Sequence, residues 1–258
     1  DRLKDFLADK LNVHTIPFEQ TASLGIKPIS KDGTQRLVHS AIDYAIAHKR
    51  SYVTLVHKGN IMKFTEGRFR DWGYEIGRRS FGDKVLCDPD IDAISKKRNI
   101  SRNDCIEQAV AEGKVYLNDC IADNFFQQAL INPAQFSVVA CPNLNGDFIS
   151  DALAAQVGGL GLSPGANINY ENGHAIFEAT HGSAPDIVGT GQANPTAMLL
   201  SVRMLLLYMK WDTAANILRE AIKRMFREGH VTADLNDQQK KKPLSTDEFA
   251  KKCCDFIT

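Results

Sequence analysis

Apolar positions Leu37, Val38, Ala41, Ile42, Ala45 and Ile46 recur at three- and four-residue spacing, which puts them on one face of a helix. The short run Tyr52-Val53-Thr54-Leu55-Val56 lacks that spacing and reads as a buried strand. Helical spacing returns from Thr65 to about Phe81. Ser101 can cap a further helix that stops at Gly113. Ile121 to Leu130 is helical and Pro133 helps to end it. Phe136 to Cys141 predicts a second buried strand, Asp147 to Val157 a helix closed by Gly158-Gly159, and Ala175 to Ala179 a third strand. Long helices are expected near Pro195–Met209 and Thr213–Glu228, and a last one near Thr246–Phe256. Strands alternating with helices make this an α/β protein. The charge-rich stretch Asp83 to Asn103 reads as a variable surface insertion, and no internal repeat or low-complexity tract is visible. The chain starts without Met, inside what reads as an amphipathic helix, so it is expected to begin within a longer protein.

A chain of 258 residues can bury a substantial core as one large domain or two modest ones. Its 31 basic and 31 acidic residues balance, so no global field favours nucleic acid. The short runs Lys96-Lys97-Arg98 and Lys240-Lys241-Lys242 read as solvated loops. Six cysteines (87, 105, 120, 141, 253 and 254) form no C-x-x-C pair and no zinc-like Cys/His spacing, which suits small thiols in a reducing, cytoplasmic setting. No apolar run approaches the roughly 20 residues of a membrane span, and Asp1-Arg2-Leu3-Lys4 is not a signal peptide.

Chemistry concentrates in three stretches. In Asn143-Leu144-Asn145-Gly146-Asp147-Phe148-Ile149-Ser150-Asp151, the carboxylates of Asp147 and Asp151 stand four residues apart at an expected helix start and share one face. Close carboxylates repel unless a cation or a shared proton relieves them, and an oxygen-only set suits Mg²⁺ or Mn²⁺. On the residues alone, a solvated acidic pair near a positive helix end is the better fit. Asp123 is a third candidate ligand or simply a surface acid. In Val56-His57-Lys58-Gly59-Asn60-Ile61-Met62-Lys63-Phe64-Thr65-Glu66-Gly67, a lysine follows directly on a buried strand, where α/β enzymes place reactive groups. Lys58 can donate a proton or hold a carbonyl oxygen there, or it can snorkel at the surface. In Phe177-Glu178-Ala179-Thr180-His181-Gly182-Ser183-Ala184-Pro185-Asp186-Ile187, running on to Ala193-Asn194-Pro195, a strand leads into a tight loop that could wrap an adenine nucleotide. It is not a G-x-G-x-x-G fingerprint, and Gly158-Gly159-Leu160-Gly161 fits a tight connection as well as a phosphate site.

Taken together, HKGNIMKFTEG, NLNGDFISDALAAQVGG and FEATHGSAPDIVG resemble the isocitrate dehydrogenases of the β-decarboxylating dehydrogenase family, and the resemblance runs from about Val13 to Asp234. It implies a non-Rossmann α/β/α dimer, with residues 1–30 in an intersubunit clasp, 31–157 in a small domain and 158–258 in part of a large, nucleotide-binding domain. It also implies NAD-dependent oxidative decarboxylation of isocitrate to 2-oxoglutarate and CO₂ with Mg²⁺ or Mn²⁺. By the same resemblance the metal ligands are Asp147, Asp151 and Asp123, the last reaching into the partner's site. Lys58 is the catalytic lysine, also given in trans, with Asp123 catalytic beside it. Asn60 contacts substrate or cofactor. The nucleotide loop comprises His181, Gly182, Ser183, Ala184, Pro185, Asp186 and Ile187 and runs to Gly189, and Asn194 contacts adenine.

NADP-dependent relatives typically carry Lys-Tyr after the loop proline, where this chain has Asp186-Ile187. They carry a Tyr and an Arg in a V-T-Y-D-x-x-R stretch, where this chain runs Val231-Thr232-Ala233-Asp234-Leu235-Asn236-Asp237. A further arginine offered across the dimer is Asn132 here. NAD is therefore the expected cofactor. The alternatives are an isopropylmalate-type enzyme, which does not usually carry HKGNIMKFTEG, and a non-catalytic subunit, which would not need these charges. The family's arginine-rich substrate clamps and catalytic tyrosine would lie upstream of Asp1.

Overall fold

A computed structural model describes residues 2–236 and 242–257. The chain forms two compact units, one of Asp1–Gln128 with Asn132–Pro142, the other of Ala129–Ile131 with Asn143–Thr258.

The first unit is built from α1 (Arg2–Leu11), α2 (Lys31–Ala47), β1 (Tyr52–His57), α3 (Glu66–Ile76), β2 (Val85–Cys87), α4 (Ile91–Arg98), α5 (Arg102–Ala111), β3 (Val115–Ile121), most of α6 (Ala122–Ile131) and β4 (Val138–Ala140). Its four strands are parallel in the order β2-β3-β1-β4. Side chains alternate across the sheet. Val53, Leu55, Val85, Cys87, Val115 and Leu117 pack with Val38 and Ile42 of α2 and Phe69 of α3. Leu86 and Tyr116 pack with Ile91, Cys105 and Ala109 of α4 and α5. Burial on both faces is why β1 carries a near-continuous apolar run. Tyr52 pairs with Tyr116 and His57 with Ile121, so β1 and β3 end side by side and the residues that follow them, from Lys58 and from Ala122, emerge together.

Several expectations are corrected here. The stretch 83–103 is not a surface insertion, because Val85, Leu86 and Cys87 are buried in the sheet and Ile91 is fully buried in α4. Its charges face one another rather than water alone: Arg78 holds Asp90, and Arg102 holds Asp88 and Asp92. Lys96-Lys97-Arg98 forms the last turn of α4, where cations favour the negative helix end. The Lys240-Lys241 part of the other basic run lies outside the described residues. The strand expected over 136–141 shortens to β4, of which only Ala140 is buried. The helix expected over 65–81 is α3 continued as a π-helical turn over Gly77–Phe81. The capped helix is found as read: Ser101 and Asp104 form a reciprocal capping box at the start of α5.

The second unit contains α7 (Asn143–Gln156), an antiparallel hairpin of β5 (Pro164–Ile168) and β6 (Ala175–Ala179), α8 (Thr196–Tyr208), α9 (Asp212–Arg227) and α10 (Thr246–Asp255). α7 begins one turn before the expected start, so Asp147 and Asp151 occupy its second and third turns rather than its first. It closes at Gly158 and Gly159, whose φ of 119° and 100° suits glycine. Leu218, Ile222 and Met225 of α9 pack on Phe249 and Cys253 of α10. The fully buried Ser201 of α8 donates to the Glu178 carbonyl at 2.8 Å and accepts from Gly165 N–H at 3.3 Å, fastening the helix to the hairpin. No helix among the described residues is long and apolar enough to cross a membrane.

Candidate active site

Lys58 is held from two sides at the end of β1. Its backbone N–H donates to Glu66 Oε2 at 2.5 Å, and the next N–H, that of Gly59, donates to His57 Nδ1 at 2.9 Å. Glu66 is fully buried and ion-paired with Lys27. His57, 2% exposed, uses its other nitrogen toward Asp119 Oδ2 at 3.0 Å, while the Tyr74 hydroxyl donates to Asp119 Oδ1 at 2.5 Å. Burial pushes the Asp119 carboxyl up, but these two bonds outweigh it and hold it below its usual range. Burial and the bond to Asp119 push the Tyr74 hydroxyl well above its usual range, so it stays a donor. The Lys58 side chain makes an ion pair with Asp123 at the start of α6. That bond lowers the pKa of Asp123, an exposed acid. Asn60 is exposed in the turn beyond. Lys58 and Asp123, predicted to serve one centre, are thus brought together, 65 residues apart in sequence.

Gly59 is what lets this turn close. A Cβ there would stand 2.8 Å from the Gly67 Cα and 2.9 Å from His57 Nδ1, and neither neighbour can swing aside. Gly59→Ala is expected to cost about 1–3 kcal/mol of stability, read as a lower chemical-denaturation midpoint. An unchanged midpoint would show that the turn is slack.

In the second unit, Asp147, Ser150 and Asp151 of α7 face Asn167, Glu178, Thr180 and His181 of the hairpin and its loop across a cavity of about 560 Å³. Neither Asp147 nor Asp151 is ion-paired with a basic side chain among the described residues, and Asn143 Nδ2 lies 3.3 Å from Asp147 Oδ2. Two unneutralised, accessible carboxylates one turn apart with only oxygen donors fit a hard divalent cation. Among the described residues no group of three or more His, Cys, Asp or Glu side chains is placed to hold a metal ion.

His181 also lines a second, more apolar cavity of 830 Å³. Gly182, Ser183, Ala184, Ile187 and Gly189 of the loop line it together with Asn194, and Leu160 and Gly161 join them. Pro185 and Asp186 belong to a single 3₁₀ turn, Pro185–Ile187, and are exposed at its outer side rather than lining the cavity. Two acids not named as site residues from the sequence, Asp234 and Asp247, do line it, and no Lys or Arg does among the described residues. Asp234 accepts from Asn194 Nδ2 at 3.0 Å and from the Thr232 hydroxyl, while Asn194 Oδ1 accepts from Thr196 N–H at 3.0 Å. Thr246 at the start of α10 donates its N–H to the Gly191 carbonyl at 2.8 Å and its hydroxyl to the Ala193 carbonyl, which fixes the far end of the loop. Glu66 stood within HKGNIMKFTEG and Asp234 within the 231–237 stretch without being assigned a role there, and Asp119 stood in none of the motifs; Lys27, Asn194 and His57, which they engage, lie far off in sequence.

Residues 8–253 match the family model described as isocitrate/isopropylmalate dehydrogenase. The isocitrate dehydrogenase [NADP] of Staphylococcus epidermidis is 50% identical over 250 residues, covering 95% of this chain and 59% of that protein. The isocitrate dehydrogenase [NADP] of Streptococcus salivarius is 51% identical over 234 residues, covering 91% and 54%. The crystal structure of isocitrate dehydrogenase from Methylococcus capsulatus superposes with a TM-score of 0.74 at 34% identity, over 94% of this chain and 61% of that one. The chain therefore spans between half and two thirds of the length of these relatives.

Proposed function

The chain belongs to the isocitrate/isopropylmalate dehydrogenase family, and we propose that it carries part of the active site of an NAD-dependent isocitrate dehydrogenase, producing 2-oxoglutarate and CO₂. The observation that supports this most is the Lys58–Asp123 ion pair at the ends of adjacent parallel strands. Asp147 and Asp151 would hold Mg²⁺ or Mn²⁺, and the loop from His181 through Asn194 would hold the dinucleotide. NAD supplies the hydride acceptor when bound, and the cation supplies Lewis acidity toward a carbonyl and a carboxylate. Lys58 would deliver and take the proton at the enol stage, with Asp123 keeping its ammonium in place. Asn60, exposed beyond Lys58, would contact substrate or nicotinamide. In the proposed domain scheme residues 1–30 form a clasp, 31–157 the small domain and 158–258 part of the large one. Free cysteines fit a cytoplasmic setting.

We also propose a homodimer with shared sites, in which Lys58 and Asp123 serve the partner's cation and substrate. One observation supports it: the large exposure of Leu130, Ile131, Leu144 and Phe148, which apolar association would cover. Lys58→Ala subunits and Asp147→Asn/Asp151→Asn subunits should each be inactive as homodimers. Mixed, they should recover isocitrate-dependent reduction of NAD, because one of the two sites in the hybrid is whole. No recovery in a heterodimer verified by mass spectrometry would mean that each site is built within one chain.

A further inference from the structure

We infer that Asp119 fixes the tautomer of His57 and that this pair positions Lys58. The inference rests on the reading of Lys58 as catalytic and goes beyond it to a group that the reaction does not touch. His57 is almost completely buried one residue before Lys58. Its Nδ1 lies 2.9 Å from Gly59 N, and that backbone group can only donate, so Nδ1 must present a lone pair. Its Nε2 lies 3.0 Å from Asp119 Oδ2, and an ionised carboxylate can only accept, so Nε2 must carry the proton. The two contacts agree on one tautomer. Tyr74 donates to the other Asp119 oxygen and so stops the carboxylate from rotating away.

The consequence for Lys58 is geometric. Its peptide N–H is pinned by buried Glu66 and the following N–H by His57, so the backbone on both sides of its Cα is fixed. Asp119 stands four residues before Asp123, the ion-pair partner of the Lys58 ammonium. One short segment of β3 and α6 thus controls both the root and the tip of the lysine. If Asp119 could donate, His57 could adopt the other tautomer, whose Nδ1–H would oppose Gly59 N–H, and the turn would open. Misplacement of a catalytic group by about 1 Å can cost on the order of 10²-fold in rate.

The test uses the active enzyme with ring-¹⁵N-labelled histidine. In the wild type, His57 should show an unprotonated Nδ1 and a protonated Nε2; a protonated Nδ1 would overturn the inference whatever the variants do. Asp119→Asn should lower kcat on the order of 10²-fold, leave KM for isocitrate and NAD nearly unchanged, and mix the two tautomers. His57→Asn, whose amide oxygen can still accept from Gly59 N–H, should keep more of kcat than His57→Gln, which cannot reach it. Wild-type kcat in Asp119→Asn, or a loss that follows melting temperature equally in all three variants, would reduce the network to a structural role. Lys58→Ala separates the two readings: if it retains turnover, the assignment of Lys58 fails, whereas an inactive Lys58→Ala beside a fully active Asp119→Asn defeats only the positioning role.

Discussion

Asp147→Asn and Asp151→Asn are each expected to lower kcat/KM for isocitrate about 10³-fold and to abolish stabilisation by Mn²⁺. The size follows from what the cation does. Lewis-acid stabilisation is worth several kcal/mol in the transition state, and about 1.4 kcal/mol is a factor of ten. An amide oxygen can still touch a cation but brings no charge, so each substitution removes half of the negative charge that α7 offers. Both carboxylates are exposed and face one cavity without basic partners among the described residues, so the fold does not depend on them. Like charges one turn apart on a helix repel by about 0.2–0.5 kcal/mol, so each variant without metal should melt at the same temperature as the wild type or slightly above it. Adding Mn²⁺ should raise the wild-type melting temperature and leave both variants unmoved. Wild-type activity with full Mn²⁺ stabilisation in both would show that the pair is a solvated stretch of helix surface.

What could be read in the sequence depended on how far each element's own pattern carried. β1 is buried on both faces and announced itself by a near-continuous apolar run, and α5 announced itself by its cap. β3 pairs with both β1 and β2 yet gave no strand signal, because Asn118 and Asp119 interrupt its apolar residues. At the C-terminal end of that strand Asp119 bonds His57 and Tyr74. β2 is only three residues long, too short for any periodicity, and the charges that follow it hid its burial. β5 begins with Pro164-Gly165, which reads as a turn but is tolerated at the start of an edge strand. In the candidate site the motif residues were legible one by one. Their partners were not: Asp119 is 62 residues from His57 and Asp234 is 40 from Asn194, and only the fold joins them. The resemblance supplied the association of Lys58 with Asp123 before any geometry did.

Cofactor choice is the prediction that the comparisons press hardest, because relatives about half identical to this chain are named as NADP enzymes. A preference for NAD by at least about 10²-fold in kcat/KM is nevertheless expected, and it rests on a few positions around the nucleotide loop. The 2′-phosphate of NADP carries nearly two negative charges and needs cations or several donors; NAD needs only an acceptor for its ribose hydroxyls. The 830 Å³ cavity at the loop offers two carboxylates, Asp234 and Asp247, and no Lys or Arg among its described lining residues. Asp186 is exposed on the 3₁₀ turn of the same loop and does not line the cavity but adds a third carboxylate to the loop region, and Ile187 lines the wall with an apolar side chain in place of a hydroxyl. Charge-assisted contacts contribute roughly 1.5–3 kcal/mol each, so the loss of two accounts for the expected ratio before any repulsion is counted. Asp234 is already engaged by Asn194 and Thr232, which makes it a fixed negative charge rather than one that can turn aside. The measurement is kcat/KM with each dinucleotide for the wild type and for Asp186→Lys/Ile187→Tyr. The double variant should gain tenfold or more with NADP, at about 1.4 kcal/mol per factor of ten, and lose efficiency with NAD. Wild-type preference for NADP, or a double variant no better with NADP, would place the cofactor choice outside this loop and return the chain to the NADP habit of its relatives.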